Sequence, residues 1–358
     1  MARHTGEAMS TLLYTDPRFA DHDMGPTHPE CPARLSAVLD GLATSGVSED
    51  VVVREPRFAS LDEMSRVHDR AYLESIRRLC DSGGGRIDAD TAANAATWRA
   101  AALAAGSGLA AVEALRAGEA DHAFCAVRPP GHHATPSRAM GFCFVNNVAV
   151  AAAALADAGE RVAIIDIDAH HGNGTQDAFW DDPAVAYASI HQYPMYPGSG
   201  AVSETGGAAA PGGICNVPVP ATTAGDTYRA VVDDVLAPWL DRMAPTWLLI
   251  STGFDAHRAD PLTRLGLSAG DYGDLTTRLL ALAPASRTVV FLEGGYDLDA
   301  VARPTASTLA ALAGAAATNE AVTTGQVPSG QDGRTVPVMT GGVGWCTNGG
   351  GGAVGLHS

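Results

Sequence analysis

Two segments of the sequence place carboxylate and imidazole groups where they could share one metal ion. Asp166, Asp168 and His170 alternate at the end of an apolar run, so strand geometry would turn all three to one face. Asp255 follows a second apolar run at 247–252. Mixed carboxylate and imidazole ligation suits Zn²⁺ in an open catalytic site. We therefore expect Asp168, His170 and Asp255 to bind zinc, with positions left for water and a substrate carbonyl, which specifies hydrolysis rather than redox chemistry.

A pair of adjacent histidines could supply the proton transfer that such a hydrolysis needs. His132 and His133 follow a Pro/Gly segment after the apolar run at 122–127. Because histidine exchanges protons near neutral pH, we expect His133 to take a proton from the attacking water and return it to the leaving amine, with His132 as its electrostatic partner. Asp166 is predicted to orient His132, and Asn173 to orient His133.

A phenol after two glycines completes the candidate constellation. Gly294 and Gly295 follow the apolar run at 288–293 and would let backbone approach a ligand closely. Tyr296 could then donate a hydrogen bond to the oxyanion of a tetrahedral intermediate. Alone, each motif has an ordinary structural explanation, such as a helix cap at Asp255 or a turn at the glycines. Their combination at four strand ends predicts an active site.

These residues need a parallel sheet that brings several strand ends together. Continuous apolar runs, which are typical of strands covered on both faces, occur at 11–14, 51–53, 122–127, 162–168, 184–191, 247–252 and 288–293. Predicted helices separate them at 32–44, 91–117, 145–158, 227–243, 269–283 and 298–313. The alternation predicts one α/β domain with a mostly parallel, doubly wound sheet and helices on both faces.

Composition narrows the classes of partner and mechanism. The chain of 358 residues has a formal net charge of −17, and all 23 basic residues are arginine. An acidic surface repels phosphate backbones, so we expect no nucleic acid partner. The absence of lysine excludes a Schiff-base lysine and a P-loop lysine. Residues 1–10 lack the apolar stretch of a signal peptide, and no apolar run approaches the length of a membrane helix, so we expect no membrane partner and a cytoplasmic location.

The composition changes near residue 318, where Gly, Thr, Ser and Pro become dominant. Such a segment has little apolar surface to bury. We therefore predict a catalytic domain at 1–318 and a Gly-rich, loosely ordered C-terminal tail at 319–358. The sequence is also compatible with a homo-oligomer.

Six segments together resemble the histone deacetylase family, which includes bacterial deacetylase-like amidohydrolases, acetoin-utilisation proteins and acetylpolyamine amidohydrolases. The resemblance runs from about residue 12 to residue 313, and its segments lie at 21–30, 128–134, 141–147, 166–175, 196–200 and 292–296. Asn173 and Glu293 are similar to the residues of the class II and bacterial branches. The resemblance implies the arginase/deacetylase fold and the same roles for the metal ligands, the histidine pair and Tyr296.

The resemblance also implies a substrate tunnel and a second cation. Phe142 and Tyr196 would form the tunnel walls and grip an aliphatic stem, and Gly141 would leave room for the acyl amide. Potassium is expected beside the zinc, held by residues that match the family's ligands: Asp166, Asp168, His170, Ser189 and, through its carbonyl, Ile190.

The substrate class depends on one position at the tunnel mouth. Polyamine-specific relatives tend to carry an acidic gatekeeper there, and this chain carries Leu262. We therefore expect a zinc-dependent amide hydrolase that removes an acetyl or other acyl group from acyl-lysine or a similar small amide. The alternatives are an acetylpolyamine amidohydrolase, a non-catalytic protein that binds acetylated ligands, and an arginase-like hydrolase with a bridged pair of Mn²⁺ ions.

Overall fold

Strands and helices alternate along residues 10–315, the part of the chain that the computed structural model describes. The strands are β1 (Thr11–Tyr14), β2 (Val51–Arg54), β3 (Gly84–Arg86), β4 (Ala92–Asn94), β5 (His122–Cys125), β6 (Val162–Asp166), β7 (Val185–Gln192), β8 (Ile214–Val219), β9 (Trp247–Thr252) and β10 (Thr288–Leu292). The helices are α1 (Ala33–Thr44), α2 (Leu61–Met64), α3 (Arg70–Asp81), α4 (Thr97–Arg116), α5 (Asn147–Asp157), α6 (Asn173–Ala178), α7 (Gly225–Val231), α8 (Ala237–Met243), α9 (Ala269–Leu282) and α10 (Leu298–Leu312). The tail predicted at 319–358 lies outside the described residues.

Eight strands form one sheet in the order β2-β1-β5-β10-β9-β6-β7-β8. Every neighbouring pair in this sheet is parallel. β3 and β4 form a separate antiparallel pair. The order places β5, β10, β9 and β6 side by side. The loops that follow these four strands therefore meet at the carboxyl-terminal end of the sheet. The predicted α/β architecture is confirmed.

Helices cover both faces of the sheet. On one face, Leu249 of β9 and Val289 of β10 belong to the same buried cluster as Leu103 of α4 and Val148 of α5. The alternate strand residues, such as Val290, point to the opposite face and are also buried. There α10 packs against both α1 and α9, which form a second layer with it. This burial on both sides explains why the strands have continuous rather than alternating apolar sequences.

The structure differs from the sequence-based boundaries at several points. Five elements fall outside the predicted set: α2, α3, α6, β3 and β8. The predicted helix at 91–117 begins only at Thr97, because residues 92–94 pair with β3. The predicted helix at 227–243 contains a π-helical segment, Val232–Leu236, between α7 and α8. β6 ends at Asp166, so Asp168 and His170 lie in the loop that follows rather than on the strand.

Candidate active site

The candidate chemical groups lie on the loops that follow four adjacent strands. Asp168 and His170 come after β6, and Asp255 comes after β9. The histidine pair comes after β5, and Tyr296 comes after β10. Because these parallel strands are neighbours in the sheet, their carboxyl ends bring residues that are distant in sequence to one location.

Asp168, His170 and Asp255 form a buried group whose potential ligand atoms all lie within 4.8 Å of one another. Nδ1 of His170 is 3.3 Å from Oδ1 of Asp168 and 2.8 Å from Oδ2 of Asp255. Ligand atoms about 2.0–2.2 Å from a tetrahedral zinc ion would be roughly 3.3 Å apart, so the donor set and its spacing fit Zn²⁺.

Backbone amides hold the two carboxylates in place. The amide of Gly294 donates to Oδ2 of Asp168 at 2.9 Å, and the amide of Ala169 donates to Oδ1 of Asp255 at 2.9 Å. Gly294 needs to be glycine, because a Cβ there would lie 2.5 Å from Oδ2 of Asp255. Each carboxylate therefore keeps a fixed orientation towards His170.

The electrostatics of this group favour a bound cation. Although burial lowers the pKa of His170, the charges of Asp255 and Asp168 raise it to about 10. Burial and the charge of Asp168 raise the pKa of Asp255. Two buried carboxylates this close require a positive charge between or beside them, and a divalent metal can replace the proton in that role.

The imidazoles of the histidine pair have different hydrogen-bond partners. Nδ1 of His132 donates to Oδ2 of Asp166 at 3.0 Å. Nδ1 of His133 donates to Oδ1 of Asn173 at 2.8 Å. Both pairings agree with the orientation predicted from the sequence. Since the Nδ1 of His133 carries the proton, its Nε2 keeps a lone pair that can accept one.

These partners shift the two histidine pKa values in opposite directions. Burial lowers the pKa of His132, but the carboxylates of Asp168 and Asp166 outweigh it and raise the pKa to about 10. Burial lowers the pKa of His133 well below its usual range, and the positive charge of His132 adds to that effect. At neutral pH the pair therefore contains one charged and one neutral imidazole, the arrangement expected of groups with separate roles.

A cavity of about 520 Å³ leads from the surface to this group. It is lined by His28, Pro29, Ala89, Asp90, His133, Gly141, Phe142, His170, Met195, Tyr196, Leu262 and Tyr296. The four residues predicted to bind substrate, Gly141, Phe142, Tyr196 and Leu262, are therefore all on its wall. Five lining residues were not predicted from the sequence: His28, Pro29, Ala89, Asp90 and Met195. The first two of them lie within the 21–30 segment.

Aromatic rings form much of the inner wall. Tyr196 meets His133 edge to face, with ring centroids 5.2 Å apart. Phe142 meets Tyr296 in the same way at 5.7 Å. Gly141 precedes Phe142 in the left-handed region at φ +55°, and a Cβ there would lie 2.5 Å from Cδ2 of His133. A larger residue at 141 would displace His133, so glycine is required by both conformation and space.

Tyr296 is fixed from two sides. Its amide donates to Oδ2 of Asp260 at 2.8 Å, and the guanidinium of Arg34 lies 5.0 Å from the centre of its ring. Arg34 also donates to the carbonyl of Gly295 at 2.5 Å. Burial raises the pKa of Tyr296 well above its usual range, so its phenol is a hydrogen-bond donor at neutral pH.

A buried ionic cluster supports the floor of the site and was not predicted from the sequence. Glu30 forms a bidentate pair with Arg128 and accepts a further bond from Arg34 at 3.0 Å. All three side chains are fully buried. The available signal was the i, i+4 spacing of Glu30, just before α1, and Arg34, in its first turn.

The residues expected to hold potassium lie at the end of β6, in the loop that follows it, and in the neighbouring strand β7. Ser189 is directly opposite Asp166 in the parallel register of β6 and β7. Its hydroxyl lies 2.9 Å from Nδ1 of His191. Asp166 accepts bonds from His132, from the hydroxyl of Tyr187 and from the amide of Asp168. Ile190 is fully buried beside Ser189.

No helix among residues 10–315 is both long and apolar enough to span a membrane.

Comparisons with known proteins agree with this arrangement. The chain matches the histone deacetylase domain over residues 28–312. A probable deacetylase from Archaeoglobus fulgidus is 38% identical over 297 residues, which is 81% of this chain and 82% of that protein. A histone deacetylase-like amidohydrolase from Pseudomonas aeruginosa is 38% identical over 275 residues, or 75% of this chain and 72% of that protein. The crystal structure of the HDA15 HD domain matches with a TM-score of 0.83 and 35% identity, over 87% of this chain and 90% of that one.

The fold and these relatives define a hydrolase that acts on amide bonds, of the deacetylase and amidohydrolase class. The chain belongs to the histone deacetylase family.

Proposed function

We propose that this protein is a zinc-dependent deacylase that removes an acetyl group from acyl-lysine or a similar small amide. The observation that carries the proposal is the position of the Asp168, His170 and Asp255 group at the inner end of the cavity, beside a histidine pair with one neutral and one charged ring. Among the described residues these three form the one group of at least three potential metal-binding side chains, which argues against a bridged pair of Mn²⁺ ions.

The proposed mechanism assigns each side chain a separate task. Bound by Asp168, His170 and Asp255, zinc would lower the pKa of water and polarise the amide carbonyl. Nε2 of His133 would take the proton of the attacking water and pass it to the leaving amine. The hydroxyl of Tyr296 would donate to the oxygen that becomes negative, and Asn173 would keep the His133 ring in its reactive tautomer.

His132 and Asp166 have electrostatic tasks in this mechanism. With its high pKa, His132 stays protonated and places a fixed positive charge beside the reacting carbonyl. Asp166 balances that charge and holds the ring through Nδ1. We also propose that K⁺ lies next to Asp166, held with Asp168, His170, Ser189 and the carbonyl of Ile190; the support is the family resemblance and the paired register of Asp166 and Ser189.

The cavity supports acyl-lysine over acetylpolyamines. Phe142 and Tyr196 offer ring faces to an aliphatic stem. Leu262 on the cavity wall is 38% exposed and cannot attract a second ammonium group. The second candidate, an acetylpolyamine amidohydrolase, is favoured by the net charge of −17, which would raise the local concentration of polycations.

A direct test compares substrates on metal-analysed protein. We expect the zinc-loaded enzyme to cleave an acetyl-lysine peptide with about ten times the kcat/KM for acetylputrescine or acetylspermidine, because Leu262 offers the second ammonium group no charged contact. Chelation should abolish turnover, and zinc should restore it. The His133→Ala variant is the control for contaminating activity. A preference for the polyamines would support the second candidate, and zinc-loaded protein with no turnover would indicate a binding protein.

A further inference from the structure

Glu293 is a buried acid whose carboxylate lies behind the histidine pair. It follows β10 directly and is fully buried. Its Oε2 accepts a bond from the amide of Gly131 at 2.7 Å and one from the amide of His132 at 3.1 Å. Its Oε1 accepts a bond from the hydroxyl of Ser251 in β9 at 3.1 Å. One carboxylate therefore connects the loop after β5 to β9 and β10.

The three donors to this carboxylate are neutral groups, so its charge is costly to keep. Burial raises the pKa of Glu293 to about 7, against the lowering effects of the His132 charge and the Gly131 amide. Removing a carboxylate from water without an ion-pair partner is one of the more expensive arrangements in a protein interior. The gain must come from the hydrogen bonds that it makes to the loop.

The hydrogen bonds from Glu293 help to fix the backbone of His132. The ring of His132 is held by Asp166, and its carbonyl accepts a bond from the amide of Thr175 at 3.2 Å. Glu293 holds the remaining amide of His132. Gly131, the other donor, is so closely packed that a Cβ there would lie 2.5 Å from the amide nitrogen of Asn147. The close packing of Gly131 therefore leaves the loop little freedom to move where it meets Glu293.

The main chain of Glu293 connects to the part of the site that contains Asp168 and Tyr296. Its carbonyl accepts a bond from Arg34 at 2.5 Å, and the next amide, that of Gly294, donates to Asp168. Tyr296 is only three residues further along the chain. The side chain and backbone of Glu293 thus fix the distance between the histidine pair and the segment that carries the phenol.

We propose that Glu293 is a positioning residue that locks the loop of His132 and His133 against the Gly294–Tyr296 segment, so that the imidazole and the phenol act on the same carbonyl. This inference rests on the proposed function, which assigns the proton transfer to His133 and the oxyanion to Tyr296. Nothing in it requires Glu293 to contact substrate.

Two conservative substitutions distinguish the effect of side-chain length at position 293 from the effect of its charge. Glu293→Gln keeps the length of the side chain, and its amide oxygen can still accept both loop amides while Ser251 accepts from its NH₂ group. Glu293→Asp keeps the charge but withdraws the oxygens from the loop. A displacement of about 1 Å at a reacting group can cost about 100-fold in rate, so we expect Glu293→Asp to lower kcat roughly 30- to 100-fold, with KM changed less than about threefold. Glu293→Gln should recover at least about tenfold of that loss.

Zinc content and thermal stability are measured on the same preparations, and Glu63→Asp is the matched control. Glu63 also accepts a backbone amide, from Ser60 at 2.7 Å, but lies in α2 and does not line the cavity. The Glu63→Asp substitution should leave kcat unchanged. The inference is overturned if Glu293→Asp retains the wild-type kcat, if Glu293→Gln loses as much activity as Glu293→Asp, or if the loss follows zinc content.

An activity-independent readout separates this inference from the proposed function. Hydrogen exchange at the amides of Gly131 and His132 should accelerate in Glu293→Asp while exchange in β9 and β10 stays unchanged. If zinc-loaded wild-type protein cleaves no acyl amide, the proposed function fails, and the exchange experiment still decides whether Glu293 holds the loop. Unchanged exchange at both amides would overturn the positioning role.

Discussion

The ring centroids of His132 and His133 lie only 4.0 Å apart, yet the two imidazoles have opposite pKa shifts. Burial lowers both pKa values, but the charges of Asp168 and Asp166 outweigh it and raise the pKa of His132, whereas the charge of His132 lowers the pKa of His133 further. The two rings also have different partners at Nδ1, a carboxylate for His132 and a carboxamide for His133. A charged ring beside a neutral ring makes the neutral ring harder to protonate. The pair therefore behaves as one unit, in which Asp168 and Asp166 keep His132 charged and the neutral Asn173 leaves His133 available as a base.

The pH profile should respond to a carboxylate placed at Asn173. Protonation of His133 removes the base, so activity falls as pH drops through its pKa, which in the wild type is well below 6.5. Asn173→Asp adds a negative charge at Nδ1 and favours the protonated ring, which should move the acid limb of kcat/KM to higher pH by about one unit.

The control for this shift is Asn94→Asp, which adds the same charge away from the cavity lining. It should leave the acid limb in place. A limb that stays fixed or moves to lower pH in Asn173→Asp would show that His133 is not the base.

Loss of the Tyr296 hydroxyl should slow the reaction without loss of metal. Tyr296→Phe keeps the ring against Phe142 and Arg34 but removes the donor to the developing oxyanion. We expect kcat to fall about 10²- to 10³-fold, as for other oxyanion donors. Steady-state kinetics and zinc analysis on one preparation measure this. Tyr193→Phe, at an exposed tyrosine outside the cavity lining, is the control, and full activity of Tyr296→Phe would exclude the assigned role.

Removal of one carboxylate ligand should remove the metal. Asp255→Ala leaves Asp168 and His170, which is one protein ligand fewer than an open catalytic zinc site uses. We expect less than stoichiometric zinc after gel filtration and no rise in melting temperature on zinc addition, whereas the wild type should be stabilised by zinc. Asp62→Ala, at an exposed aspartate, should behave as wild type. Stoichiometric zinc in Asp255→Ala would place the metal elsewhere.

Residues that follow directly after an apolar run could be assigned to the site from the sequence, whereas buried supporting contacts between distant segments, such as Glu30 with Arg128, could not. Asp168, His170 and Asp255 could be predicted because parallel strands bring their carboxyl ends together. The position of a residue directly after an apolar run is then enough to assign it to the site. β8 was missed because Asn216 and Pro218 interrupt its apolar pattern, which is acceptable in an edge strand.

Supporting interactions are the least visible in the sequence. Glu30 meets Arg128 across 98 residues, and Glu293 meets Gly131 across 162 residues. Nothing in the local pattern of a buried acid identifies such a partner. α3 is a different case, because the spacing of its buried residues Tyr72, Ile76 and Cys80 is helical and could have been recognised.

Substrate preference should change when an acid is placed at the cavity mouth. Leu262→Glu would face the second ammonium group of an acetylpolyamine, and we expect kcat/KM for acetylspermidine relative to an acetyl-lysine peptide to rise about tenfold, the effect of one good charged contact. Val202→Glu is a matched control, since Val202 is also 38% exposed but does not line the cavity. An unchanged ratio in Leu262→Glu would mean that the ends of the substrate do not pass this residue.

Stability should depend on pH through His68, which lies in the interior away from the cavity lining. Its Nδ1 donates to the carbonyl of Thr135 at 2.9 Å, and its Nε2 accepts a bond from the amide of Asn146 at 2.9 Å. Burial lowers its pKa to about 4. The unfolded chain therefore binds a proton near pH 6.5 that the folded chain does not bind until about pH 4.

The sign of the effect follows from that difference. The stability contributed by neutral His68 is complete above pH 6.5 and is lost as pH falls from 6.5 to about 4, at a slope approaching 1.4 kcal/mol per pH unit and about 3 kcal/mol in all. His68→Gln should reduce the slope of unfolding free energy against pH in this window, measured by urea denaturation. Tyr72→Phe removes the nearby bond to the carbonyl of Phe144 and should lower stability with the slope unchanged, because its phenol titrates far above this range. Equal slopes in wild type and His68→Gln would mean that the ring is protonated, or exposed to water, in the folded protein.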